Sequence, residues 1–113
     1  LVKKDVQFIE KIHQVIEENL DNSDFNIDTI ASTIGLSRSA FFKKLKSLTG
    51  FAPVDLVKEI RLNKSIELIK NSDMSISEIA FAVGFKDSGY FSKCFRKKYD
   101  QTPREYMNEW RKG

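Results

Sequence analysis

Two sets of side chains, fifty residues apart, have the types and spacing to grip a polyanion: Arg38, Ser39, Phe42, Lys43 and Lys46 in one, and Ser88, Gly89, Ser92, Lys93, Arg96 and Lys97 in the other. Within each set the residues recur three and four apart, which places them on one face of a helix. Guanidinium and ammonium groups neutralise phosphate, while small hydroxyl side chains let a helix approach polar edges closely. Catalytic chemistry is poorly provided for. An enzyme would need a nucleophile with its base, a metal cluster or a phosphate-cradling loop, and the sequence offers none of these. His13 has no second histidine and no nearby cysteine, so it reads as a partly exposed helix residue rather than a ligand or base. Cys94, the single cysteine, sits beside Phe95 and reads as a buried, inert thiol. One cysteine excludes an internal disulfide and a cysteine-rich zinc site, and it suits a reducing cytoplasm. No catalytic residue, metal or cofactor is expected.

The elements that must carry these residues announce themselves through their caps. Ser75-Ile76-Ser77-Glu78 is a capping box opening an amphipathic helix with Ile76, Ile79, Ala80 and Val83 on its apolar side. Gly84 follows where a left-handed residue would end that helix, and Phe85 would fold back onto the core. Asp87 then caps a second helix running to Lys98, with Phe91, Phe95 and the Lys98 stem on one face and Ser88, Ser92, Lys93 and Arg96 on another. Thr102-Pro103-Arg104-Glu105 repeats the capping logic, with proline at the first helical position, for a third helix towards Trp110. Helix, glycine turn and helix with a cationic outer face is the helix-turn-helix arrangement that enters the major groove of DNA.

The 113-residue chain has 41% apolar and 31% charged residues, a balance that suits a globular all-α chain of one domain or two very small ones. No apolar run approaches the roughly 20 residues of a membrane helix, and no signal peptide is visible. The chain opens on Leu1, which reads as a piece of something longer. Its formal charge of +3 conceals an asymmetry: residues 1–28 hold three lysines against seven acids, and residues 29–113 hold sixteen basic side chains against nine acids. The basic part is where a polyanion would bind. Residues 1–23 supply an acidic lead-in helix, Asp5 to Leu20, with Val6, Ile9, Ile12, Ile16 and Leu20 at helical spacing, and a polar turn from Asp21 to Asp24 ends it.

From Ile27 onward the chain repeats itself. Ile27, Ile30, Ala31, Ile34, Gly35 and Leu36 match Ile76, Ile79, Ala80, Val83, Gly84 and Phe85 at an offset of 49. After Lys86, an extra residue in the second turn, the offset is 50: Ser37 matches Asp87, Phe41 matches Phe91, Lys43 matches Lys93, Leu45 matches Phe95, Lys46 matches Arg96 and Pro53 matches Pro103. Two tandem helix-turn-helix units follow, residues 24–52 and 73–113, joined by a long spacer helix within residues 53–72, in a fold of about seven helices. At about 1.5 Å per residue that spacer spans roughly 25 Å, enough to set two groove-entering helices near one duplex turn, about 34 Å, apart. The units are not identical. Ala52 takes the cap position that Thr102 fills, weakening the following helix start by about 1 kcal/mol, and Phe42 stands where the second unit has Ser92. Two readings of Phe42 stay open: contact with a thymine methyl, or packing against a neighbouring helix. Tyr106, Met107 and Trp110 are expected to cover the second unit's core, and Arg111-Lys112-Gly113 to fray.

With these units in view, the sequence resembles the DNA-binding domain of the AraC/XylS family of bacterial transcription regulators over about residues 24–110. The likeness rests on Ile60-Arg61-Leu62, Ile79-Ala80, Val83-Gly84-Phe85, Tyr90 to Lys97, and Tyr99-Asp100-Gln101-Thr102-Pro103-Arg104-Glu105-Tyr106. The lead-in helix and Phe41 to Gly50 further resemble the version that ends hybrid two-component sensors, whose full-length chains carry a kinase and are anchored in the inner membrane. The resemblance implies two recognition helices in successive major grooves of a promoter. Arg38, Ser39, Phe42, Lys43, Ser88, Gly89, Ser92 and Lys93 would then face bases, and Ser37, Lys46, Arg96 and Lys97 the phosphate backbone. Gly89 departs from the larger polar residue usual at its position, so the second unit would read fewer bases and leave room for bridging water. Double-stranded DNA is the expected partner, with RNA polymerase and a second copy, met through the lead-in helix or an upstream region, as further ones. The competing reading is a helical protein-interaction or dimerisation module of a signalling protein, with the acidic lead-in helix docking a partner.

Overall fold

The computed structural model describes residues 2–111 as seven α-helices, with no strand among the described residues. They are α1 (Val2–Glu18), α2 (Ile27–Ile34), α3 (Arg38–Thr49), α4 (Pro53–Asn71), α5 (Ile76–Ala82), α6 (Ser88–Tyr99) and α7 (Pro103–Trp110). They pack as two compact units, the first holding the chain up to Asn19 together with Asp24–Ile60 and the second holding Leu20–Ser23 with the chain from Arg61 onward.

In the first unit, the stripe that α1 buries is Phe8, Ile12, Val15 and Ile16. Val6, expected in that stripe, is 48% exposed. Two residues along a helix is a turn of roughly 200°, so once Phe8 faces inward Val6 must face out. Phe8 meets Phe41 of α3 with ring centroids 6.2 Å apart, beside buried Ile30, Ala31, Leu45, Leu56 and Ile60. Asn26 caps α2 by accepting from the Thr29 amide, and it matches Ser75 at the same offset of 49, a repeat position the sequence reading passed over. Gly35 ends α2 in the left-handed region at φ 83°, and the Leu36 amide donates back to the Ala31 carbonyl. Ser37 caps α3, whose Phe41 and Leu45 form its buried side. At the start of α4 only the backbone carbonyl of Ala52 accepts the first amides, those of Asp55 and Leu56.

The second unit repeats the plan with better caps. Ser75 and Thr102 each make a full capping box, with Glu78 and Glu105 reaching back to the cap residues' amides. Asp87 caps α6 by accepting from the amides of Gly89 and Tyr90. Phe85, Phe91, Phe95 and Tyr106 run edge to face through the core at centroid spacings of 5.2, 5.8 and 5.8 Å. The Tyr99 hydroxyl donates to Asn63, and burial, then the nearby Tyr106, pushes its pKa up to about 12. Arg61 is the one buried cation among the described residues, and its guanidinium donates to the carbonyls of Leu20, Val83 and Asn22. Desolvation lowers its pKa, and the three carbonyl dipoles offset that cost.

Three expectations for this unit change. Met107 is buried, but Trp110 is 54% exposed, stacked on Tyr106 with the Lys70 ammonium 4.2 Å from its ring centre. Cys94 is half-buried rather than buried, because it lies beside the inward stripe of Phe91 and Phe95 and not on it. Arg111 does not fray: its guanidinium donates to the carbonyls of Leu68, Ile69 and Met74, closing the end of α4. Leu1, Lys112 and Gly113 lie outside the described residues.

Gly84 sits at φ 96°, and a β-carbon there would run into Arg61 Nη1 and the Leu20 carbonyl, whereas one on Gly35 would meet nothing within 4 Å. Gly35→Ala is therefore expected to cost about 1–2 kcal/mol of backbone strain, and Gly84→Ala at least about 3 kcal/mol, because overpacking is added to the strain. Urea melts of the two variants check the difference, and equal losses would contradict it.

The capping boxes also titrate. Hydrogen bonds from the backbone and then the side chain of Ser75 hold the Glu78 carboxyl below its ordinary 4.5, and Thr102 does the same for Glu105. With folded values depressed, the boxes stabilise the helix starts above the ordinary value and lose that effect as pH falls through the lowered one. Intrinsic-rate-corrected amide protection at Ser75 and Thr102 should fall between about pH 6 and pH 3, more than at Thr29, whose cap Asn26 does not titrate. Protection that stays constant at both cap residues would contradict this.

Candidate nucleic-acid interface

The outer face of α3 follows from its inner one. Phe41 and Leu45, one turn apart, face the core with no measurable exposure, which leaves the intervening residues facing out. Ser37, Arg38, Ser39, Phe42, Lys43, Lys46 and Ser47 together line an open concavity of about 940 Å³. All six first-unit residues chosen from sequence for DNA contact are brought together there. Ser47, one turn beyond Lys43, was missed, although helical spacing alone would have found it.

The side chains differ in how they are held. Phe42 is 46% exposed in the lining rather than packed beneath a neighbouring helix. Arg38 Nε lies 3.6 Å from Asp28 Oδ1 of α2. The Lys46 ammonium donates to the Gly50 carbonyl at 2.9 Å, closing its own helix end. Lys44, the remaining cation of α3, turns the other way and stands 4.4 Å from the ring centre of Phe8. Ser37 spends its hydroxyl oxygen on the Ala40 amide as the helix cap.

On α6 the buried pair is Phe91 and Phe95, and Gly89, Lys93, Arg96 and Lys97 are exposed, with Ser88 and Ser92 half-buried beside them. The face is cationic and flat, since its central residues carry at most a hydroxymethyl group. A side chain at Gly89 would crowd the cap of α6. A β-carbon there would lie 3.0 Å from Asp87 Oδ1, the oxygen that caps the helix through the Gly89 amide at 2.6 Å. Among the described residues no group of histidine, cysteine, aspartate or glutamate could hold a metal ion.

Residues 30–109 match a family model described as a helix-turn-helix domain, which is most of the chain and includes both units' turns. The chain belongs to the AraC-type helix-turn-helix family. It is a helix-turn-helix domain of the DNA-binding kind found in transcription regulators. Over 94% of its length the domain is 38% identical to a protein named histidine kinase P4 of Formosa agariphila, and over 87% it is 34% identical to the HTH-type transcriptional regulator MtrA of Neisseria gonorrhoeae. It spans only 8% and 32% of those two relatives. Among solved structures, the DNA-binding domain of the global transcriptional factor AdpA, in complex with a target DNA, matches with a TM-score of 0.84 and 28% identity, covering 93% of each chain.

The two helix faces separate the lysines into groups that mutation can distinguish. Lys43→Ala and Lys93→Ala should each weaken binding to a cognate duplex on the order of tenfold. Lys44→Ala, which loses only its place over Phe8, should stay within about twofold. Fluorescence anisotropy against one labelled duplex measures all three, and equal losses at Lys43 and Lys44 would contradict the assignment of faces.

Proposed function

We propose that each unit seats its second helix, α3 in the first and α6 in the other, in its own major groove of a single promoter. Arg38, Ser39, Phe42 and Lys43 face base edges from α3, with Ser37 and Lys46 on phosphates. Ser88, Gly89, Ser92 and Lys93 face bases from α6, with Arg96 and Lys97 on phosphates. The observation that carries this is the lining of the α3 concavity, where cationic, hydroxyl and aromatic side chains share one surface on the side opposite Phe41 and Leu45. Phosphate contacts then supply most of the affinity, and the mixed surface of α3 supplies selectivity. Binding exchanges the Lys46 contact with the Gly50 carbonyl for one with phosphate. The ring of Phe42 suits a thymine methyl, which the major groove displays. The small surface of α6 suits anchoring and water-bridged contact more than direct reading.

We further propose that the whole protein is a hybrid sensor that carries a kinase and an inner-membrane anchor, with this domain as its output. The support is the identity with a relative named as a histidine kinase, of which the domain spans a small part. No helix among the described residues is long and apolar enough to cross a membrane, so the anchor would belong to another part of that protein. The sequence of the complete chain decides this by the presence or absence of a kinase module.

Selection of sites from random duplex, followed by titration of a selected site at several salt concentrations, tests the groove-seating reading. Lys97→Ala should weaken selected and random duplexes alike and reduce the slope of log affinity against log salt by about 1. Loss confined to one base position, with the slope unchanged, would overturn the phosphate role of Lys97.

A further inference from the structure

Arg38 is the first residue of α3, and the start of a recognition helix is where side chains reach base edges in the major groove. Its contact with Asp28 is made by Nε, the nitrogen nearest the stem, at 3.6 Å. Guanine is read by the two nitrogens of a guanidinium edge acting together on O6 and N7. An acid that engages Nε restrains the rotamer of the arginine while leaving a terminal edge for such a pair of bonds. Both side chains are well exposed, 70% for Arg38 and 66% for Asp28, so the pair adds under about 1 kcal/mol to folding. Its consequence lies in where Arg38 points.

The internal repeat supplies a control. At the offsets that preserve caps, turns and core, Asp28 corresponds to Ser77 and Arg38 to Ser88. Acid and base are present together in the first unit and absent together from the second. The second unit folds without them, so the fold does not require the pair.

We propose that Asp28, a residue outside the recognition helix, is a positioning residue for sequence reading: it holds Arg38 so that the guanidinium edge meets one guanine in the first unit's half-site. This rests on the reading that α3 enters a major groove. A carboxylate near DNA also repels phosphate, so Asp28 lowers affinity for duplex of any sequence while raising discrimination at one base pair. Neither a purely structural residue nor a phosphate-contacting one would give that pairing of opposite effects.

The test is site selection from random duplex with the wild type, Asp28→Ala, Asp28→Glu and Arg38→Lys, each first checked for an unchanged melting temperature. Wild-type sites should hold a guanine at one position. Arg38→Lys, which keeps the charge and loses the fork, should lose about tenfold of the preference there. Asp28→Ala should lose preference at that same position alone while binding random duplex as tightly as wild type or more tightly, and Asp28→Glu should restore the preference. If Asp28→Ala leaves the guanine preference intact, or lowers preference evenly across the site, the proposal is overturned. Should Asp28→Ala not fold, Asp28→Asn, which keeps the shape and removes the charge, takes its place, and a guanine preference unchanged in that variant overturns the proposal. Failure here leaves the groove reading standing, because that depends on the Lys43 and Lys93 variants and not on this pair.

Discussion

The second unit is built around a buried positive charge. Arg61 sends its guanidinium into three backbone carbonyls, those of Leu20, Asn22 and Val83, and Gly84 leaves the space it occupies. An unpaired buried cation would cost several kcal/mol, so once Arg61 is inside, the segments that supply those carbonyls are bound to it. Val83 is the last residue before the glycine of the turn, and the turn sets how α6 leaves α5. One buried side chain therefore fixes the direction in which the cationic face of α6 looks.

The first unit reaches the same plan by different means. A β-carbon on Gly35 would meet nothing, and the joint is closed by aromatic packing of Phe8 on Phe41 instead of by a buried charge. In both units the turn glycine has positive φ, and the residue after it donates back across the helix end: Leu36 to Ala31, Phe85 to Ala80. Those shared bonds make the two halves superficially alike. Their outer faces are what separate them, one rough with Phe42 and the Arg38–Asp28 pair, the other smooth around Gly89 and Ser92.

Much of this was legible in the sequence because it is local. Ser75 and Thr102 with glutamates three residues on, Asp87 and Ser37 before their helices, and glycine after the last apolar residue each encode a hydrogen bond within a few residues. The all-helical fold and the inward faces of Phe41, Leu45, Phe91 and Phe95 followed from spacing. What stayed hidden depends on partners remote in sequence. Val6 and Phe8 are both apolar on α1, and only the position of Phe41 decides which is inside. Arg61 and Arg111 look like surface charges until carbonyls some 20 to 40 residues away converge on them. Trp110 reads as core by its type, yet at the end of α7 it is 54% exposed, with Tyr106 and Lys70 beside its ring. Among the cations of α3, charge alone could not tell Lys43 from Lys44 or foresee that Lys46 would close its own helix. Asp28 carried no signal at all, since its relation to Arg38 exists only after α2 and α3 fold against each other.

The physical chain runs from core to groove: apolar residues one turn apart, Phe41 and Leu45 in α3 and Phe91 and Phe95 in α6, pull one side of a twelve-residue helix inward, and the polar, cationic side is turned to solvent as a consequence. Dimethyl sulfate footprinting of a selected duplex tests that chain most directly, since it reports guanine N7 in the major groove and adenine N3 in the minor groove separately. The account predicts N7 protection in two separate patches, with adenine N3 left reactive between and within them. Protection confined to a single patch, or lying in the minor groove, would contradict it.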